Sequence, residues 1–514
     1  MNIKYIRNFF IIFIIALMFY ASYAVIFNDI KLKNETVTKS LIIGQNEKIK
    51  TLKLGISEFD TFNPILTNNR DVQYISKLAY DSLFTISENY KIESCLATEI
   101  SQISEQSYII KLRESIYWSN GEAFSAEDVI YTIEKIKSAE YIYTDLVNPI
   151  DNMQIIDKYT IKFNLYEETP FFEYNLIFPI IKNNSTDEEL YNIGMYNIEE
   201  TTENKIVLSK NAEWWNKKEV ENGFESIIIN LYPSKIDEYK AFRKSEIDII
   251  NTNNMNYEEY IGKYGYNTKK YICPRHTFLA FNMDNEFLSS LKIRQAIEYA
   301  IDKETIVSNV FGAQYISSDF PLDYGNYLYK DVHEHIYSPQ EAGLILQGQF
   351  ENQTINLDLI VKNTDEKKVK IAELIKSDLA NIGIIINIVQ LEENEYQECL
   401  ENKDYDLLLG TIDLSLSPNL EFFLGEGNLF NYNNSNVIKI VDEINNIKNE
   451  ELLKEKYEEL QKYYFEDIPY MSLYNNTSTL IYSENLRANV KPNYFNLFYG
   501  IEKWYSVKKT PYLG

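Results

Sequence analysis

The sequence predicts an α/β protein of more than one domain, and three observations carry that reading. At 514 residues the chain is too long for a single hydrophobic core. Residues 355–391 read as strand, helix, strand: Ile355–Val361 alternates, Glu366–Ile382 stops at Gly383 in the manner of a C′ cap, and Ile384–Leu391 is a buried-type apolar run. A strand-helix-strand of this length is a parallel βαβ unit. Residues 107–136 supply a second strand, turn and capped helix. A composition of 45% hydrophobic and 25% charged residues is that of a globular chain and excludes wholesale disorder.

Taken in order, Lys4 and Arg7 precede an uninterrupted apolar run, Phe9–Phe27, close to the roughly 20 residues that span a bilayer. The two positive charges place the N-terminus inside and everything after the run outside. A retained anchor and a signal peptide cleaved at Ser22-Tyr23-Ala24 both fit, and either exports the body. Asn28–Lys50 is polar and aperiodic and reads as a tether. Leu52, Leu54 and Ile56 alternate and begin the first strand, and a helix is expected over Asp71–Ser82. In Ser107–Ile136, Tyr108, Ile110 and Leu112 share one strand face, and Asn120-Gly121 forms a tight turn because both residues tolerate positive φ. Ser125 caps the following helix with Asp128 at N3, and Val129, Ile130, Ile133 and Ile136 form its apolar face. Two strands over Met153–Leu165 turn at Asp157-Lys158.

Further on, Phe278–Asp284 alternates and ends in a polar turn. Leu291–Ile301 is an amphipathic helix with Ile293, Ala296, Ile297, Ala300 and Ile301 on one face, and Asp302 caps the next helix. Ser338-Pro339-Gln340-Glu341 carries the full set of helix-start signals. Tyr405–Leu409 is another buried-type strand, Asn436–Glu466 is helical, and Ile468-Pro469-Tyr470 leads back into a strand.

Two strings in this pattern are specific: L-R-x-x-I-x-W-S-N-G-x-x-F-S-A-E-D-V at 112–129 and I-R-Q-A-I-E-Y-A-I-D-K-E-x-I at 293–306. Both resemble the extracellular solute-binding proteins of the oligopeptide, dipeptide and nickel type, which feed ABC importers. Shorter matches occur in the right order. Leu96-Ala97, Asn211-Ala-Glu-Trp214-Trp215 and Arg243-Lys-Ser-Glu-Ile-Asp248 are among them, with Ser245 in place of the family's turn glycine. Of the family's G-T-G-P-Y, Asn192–Tyr196 keeps Gly194 and Tyr196. The resemblance covers Leu52 to about Trp504. It implies a two-lobed periplasmic-binding-protein-like α/β fold with a two-strand hinge and an extra subdomain in the first lobe. The implied organisation is an anchor or signal segment at 1–27, a tether at 28–50 and a first lobe at 51–277 holding the subdomain at about 83–175. A second lobe at 278–474 and a return to the first at 475–514 complete it.

The implied function is capture of a peptide, by default an oligopeptide, between the lobes and its delivery to the transmembrane subunits of an ABC permease. The protein would act as a monomer at the outer face of the cell membrane, without cofactor or catalysis. The alternatives are a nickel or other small-solute binder on the same fold, a surface-tethered sensor, and an exported hydrolase. No G-x-S-x-G, H-E-x-x-H or Walker A loop supports catalysis. A net charge of −26 disfavours nucleic acid, whose phosphates need Lys and Arg, and disfavours anionic lipid. Cys95, Cys273 and Cys399 form no CxxC pair; three is an odd number, so at least one is free within the monomer. His333 and His335 would point to one side of an extended segment and could reach one metal ion, although a solvated loop explains them as well.

The ligand-contact residues that the resemblance implies are few. Phe62-Asn63 lies in the family's L-N-P loop near the cleft. Asp413 stands where peptide-binding relatives place an aspartate against the ligand's α-amino group, with Gly410 in place of their tryptophan. A loop-capping role explains Asp413 equally well. Arg275 lies at the expected crossover, where it could meet a carboxylate or pair within the acidic surface.

Overall fold

The computed structural model describes residues 48–138, 142–218, 223–253, 265–312, 315–322, 324–331, 336–350 and 354–507. A small unit pairs Lys48 and Ile49 with Val507 and Ser506. The body, Lys50–Tyr505, is built on one continuous sheet that contains eleven strands among the described residues.

Two long antiparallel strands organise that sheet: an outgoing strand, Tyr266–Phe281, and a return strand, Tyr470–Ser483. Beside the first half of the outgoing strand and the second half of the return strand lie Ile249–Thr252, then Thr51–Ser57 and Ser226–Tyr232 in parallel, then Lys205–Lys210 and Tyr196–Thr201. On the other side Leu407–Asp413 pairs with the outgoing strand. Ile355–Lys362 and Ile384–Leu391 follow it in parallel, the expected βαβ unit closed by helix Glu366–Ala380. Between the two halves the ladder slips. Ile272 pairs with Thr477 and His276 with Asn475, so Cys273, Pro274 and Arg275 bulge out of register. Proline, which has no N–H for a ladder bond, belongs at such a bulge.

Four large cores follow this plan. One draws on Thr51–Ser57 and the C-terminal residues up to Trp504. A second lies under a separate four-stranded antiparallel sheet, Ala97–Ser104, Ser107–Leu112, Thr160–Leu165 and Ile150–Asp157, and includes Val129, Ile133 and Ile136. The other two cover opposite faces of the second half of the main sheet. Alternation sorts them: Leu279 and Phe281 enter one, Phe278 and Ala280 the other.

Most expected elements are present, and the differences have local causes. At the predicted turn only Gly121 takes positive φ, at 86°. The helix expected over Asp71–Ser82 is Arg70–Ser76, because the Ala79 carbonyl is taken by the N–H groups of Ile193 and Gly194. A Cβ at Gly194 would lie 2.6 Å from the Ala79 carbonyl carbon, so glycine alone allows that approach. Helix Asn436–Glu466 is two helices, Ser435–Ile444 and Glu450–Asp467, the second capped by Asn449, whose Oδ1 accepts from Leu452 N–H. The strand expected at Tyr405–Leu409 is Leu407–Asp413, extended by pairing with Arg275–Phe281. Ser245, in the glycine position, takes φ of 60°. None of the three cysteines is in a disulfide. Among the described residues no helix is long and apolar enough to cross a membrane; Phe9–Phe27 lies outside them.

Candidate functional site

The bulge forms the floor of a cavity of about 50 Å³ whose walls come from both halves of the molecule. Ile272, Cys273, Pro274 and Asn475 line the floor. One wall is Tyr90, Tyr494 and Phe495; the other is Pro321, Leu322, Asn326, Leu414–Ser417, Asn419, Leu420 and Phe423.

Each wall is held from behind. The carbonyl of Tyr494 accepts from Arg70 Nη2 at 2.8 Å and from the Tyr74 hydroxyl at 2.9 Å, and that of Phe495 accepts from Lys77 Nζ at 2.8 Å. The Arg70 guanidinium also lies over the Tyr494 ring, 4.2 Å from its centroid. Asn493 Nδ2 donates to Ser87 O, and Tyr90 meets Phe495 edge to face at 6.3 Å. On the opposite wall the Leu414 N–H donates to Pro274 O at 2.9 Å, and the Tyr457 hydroxyl donates to Pro418 O. Across the gap, Tyr327 N–H donates to Asn89 O at 3.0 Å, and Lys91 pairs with Glu450.

Among the described residues the lining is apolar, aromatic or neutral-polar, with no carboxylate, lysine, arginine or histidine in it. Below the floor, His276 is fully buried, with Nδ1 2.7 Å from Asn475 Oδ1 and Nε2 3.3 Å from Ser472 Oγ. Burial pulls it down to about 4, so at neutral pH it is an uncharged ring with both nitrogens engaged. A pocket of this kind suits an uncharged, partly apolar ligand segment held by shape and a few hydrogen bonds.

The expected site residues fall in three places. Asp413 and Arg275 are opposite each other in the ladder, both exposed, and are chain neighbours of the lining residues Leu414 and Pro274. Gly410 lies inside the strand, under the ring of Phe278. Phe62 is core, and Asn63 is a buried turn residue whose side chain accepts from Ile65 N–H and donates to Asp187 O. The structure therefore brings Asp413 and Arg275 together and leaves Gly410, Phe62 and Asn63 elsewhere. His333 and His335 lie outside the described residues, among which no cluster of three metal-ligating side chains occurs. Sequence reasoning missed Tyr90, Leu416, Tyr494 and Phe495. Only the alternating Leu414-Ser-Leu416-Ser-Pro418, directly after a strand end, carried a signal.

Comparison with known proteins places this geometry in context. A family described as bacterial extracellular solute-binding proteins, family 5, matches residues 91–428, well over half of the chain. The oligopeptide-binding protein AppA of Bacillus subtilis is 23% identical, over 93% of this chain and 95% of its own. Among solved structures, the unliganded open form of MppA, a periplasmic murein tripeptide binding protein, superposes with a TM-score of 0.76 at 18% identity, covering 90% of this chain and 98% of that one. A nickel ABC transporter protein from Bacillus halodurans gives 0.74 at 20% identity, covering 89% and 100%. At these identities the likeness carries the fold, a two-lobed α/β architecture.

Proposed function

Because this chain belongs to the bacterial extracellular solute-binding proteins of family 5, we propose that it captures peptides between its lobes and delivers them to an ABC permease. The observation that carries this reading is a cavity with one wall from each half of the molecule, its floor on the two crossing strands and no charged side chain among its described lining residues. A peptide backbone offers neutral donors and acceptors to Asn326, Ser415, Ser417, Asn419 and Asn475, and its side chains meet Leu416, Leu420 and Tyr494. Asp413 and Arg275, at the strand end beside the cavity, are assigned to the ligand's charged ends. The cavity of about 50 Å³ is far below the ~300 Å³ at which ligand sites begin, so entry requires the walls to separate about the bulge.

In this reading the first lobe is 51–277 with the return from 475, the second is 278–474, and the protein works as a monomer that binds without turnover. Phe9–Phe27 holds it at the membrane's outer face, within reach of a permease. Native mass spectrometry of the purified full-length protein, before and after unfolding and refolding, tests the proposal. A set of co-purified masses matching short peptides, lost on refolding and regained from a peptide mixture, is expected. Protein that stays bare in that mixture, or carries one non-peptide mass, contradicts it.

A further inference from the structure

The three asparagines among the described residues that line the cavity between the lobes are all turned the same way. Asn326 Oδ1 accepts from Leu328 N–H at 3.0 Å, and Asn419 Oδ1 accepts from Glu421 N–H at 2.7 Å. Asn475 Oδ1 lies 2.7 Å from His276 Nδ1. In each amide the carbonyl end is held by the protein. The amino end, Nδ2, makes no hydrogen bond with a described residue in any of the three. Asn475 is the most buried of them, only 2% exposed. An amino group buried there without a partner costs free energy, and a ligand acceptor would remove that cost.

The orientation of Asn475 is fixed from beneath. His276 stands opposite it in the ladder. An amide oxygen can only accept, so the ring nitrogen facing it, Nδ1, is the protonated one. The buried ring is uncharged, which leaves Nε2 bare to accept the Ser472 hydroxyl at 3.3 Å. Ser472 is held in turn: its N–H donates to the Tyr464 hydroxyl at 3.2 Å, and that hydroxyl donates to Tyr470 O at 3.0 Å. A flipped Asn475 would set its amino group against Nδ1–H, donor against donor. The chain Tyr464, Ser472, His276 therefore keeps the amino end of Asn475 away from the ring, toward the cavity.

We propose that the cavity reads ligand carbonyls rather than N–H groups. The amino groups of Asn326, Asn419 and Asn475 donate to backbone carbonyls of the bound peptide, and His276 is the positioning residue that keeps Asn475 turned to do so. This rests on capture of a peptide at the same site, and it names which face of the peptide bond is recognised.

The test is isothermal titration of the full-length protein with Ala-Ala-Phe-Ala-Ala and its single-thioamide analogues, one for each peptide bond. Sulfur in place of oxygen makes a poor acceptor and leaves the N–H a better donor, so a site that reads carbonyls and one that reads N–H groups respond with opposite sign. At one or more bonds the thioamide should bind about threefold or more weakly, the worth of a neutral hydrogen bond. Asn475→Asp, which puts an acceptor of the same shape in place of the amino group, should weaken the parent peptide about tenfold and remove the penalty at one bond. His276→Asn places a donor where Nδ1 stands and should keep that penalty. His276→Gln places its amide at the Nε2 position and should reduce it. Asparagine leaves the larger void, so a role in packing alone predicts the reverse order. Thioamides that bind as well or better at every bond, or penalties all unchanged in Asn475→Asp, would overturn the proposal and leave peptide capture standing. A penalty kept in His276→Gln and lost in His276→Asn would overturn the positioning role. No binding of the parent peptide would contradict peptide capture itself, and the proposal would fall with it.

Discussion

Gly410 stands where the resemblance leads one to expect a tryptophan, and Phe278 supplies the reason. A Cβ on Gly410 would fall 2.5 Å from the Phe278 ring, which packs edge to face on Phe423, Phe430 and Tyr470. Gly410→Ala should therefore lower stability by about 1–3 kcal/mol, as overpacking does, and Phe278→Leu should restore much of it in the double variant. A thermal melt in which Gly410→Ala is neutral would refute this. His276 gives a pH-dependent prediction. Burial holds its pKa near 4, below the ordinary 6.5, so the unfolded chain takes up the proton first. The stability it confers is whole above about pH 6.5 and is lost as pH falls from there toward 4. Relative to His276→Gln, the wild type should lose about 3 kcal/mol over that window. A difference that does not change with pH would show that the ring is not held neutral. At this scale the sequence was informative for caps, since Ser125, Asp302 and Ser338 all take their expected places. It was uninformative for Gly410, whose reason is a ring across the ladder.

Periodicity revealed the elements, but tertiary partners determine where they end. The faces of Ser107–Leu112 and Leu291–Ala300 are buried as their spacing demands, because burial follows side-chain period. Arg70–Ser76 stops early because its C-terminal turn is claimed by Ile193 and Gly194, far away in the chain. Gly194→Ala would push a Cβ against backbone that has no flexible end to move aside. We expect a loss at the upper end of about 1–3 kcal/mol, greater than that of Gly410→Ala, where a ring can shift. Chemical denaturation of the two variants side by side measures the difference; an equal or smaller loss for Gly194→Ala would contradict it. The cavity lining was the least legible feature. Tyr90, Leu322, Leu416 and Tyr494 share no local pattern and become neighbours only when the two crossing strands bring the lobes together.

On the scale of the whole molecule, a chain of net charge −26 has no charged side chain among the described residues that line the cavity between its lobes. In the proposed function a ligand is selected at the centre by shape and neutral hydrogen bonds. Peptides with apolar central residues should bind at least tenfold more tightly than the same peptides with Asp or Lys there, because a buried charge would find no partner. Isothermal titration of such pairs checks this, and equal affinities would contradict it. The most direct test of capture between the lobes is photo-crosslinking with a peptide carrying a central benzophenone side chain, mapped by mass spectrometry. Crosslinks are expected in Leu414–Phe423 and at Tyr494–Phe495, on both walls at once, and should be lost in Leu416→Trp. Crosslinks confined to one wall, or to surfaces away from the bulge, would contradict it.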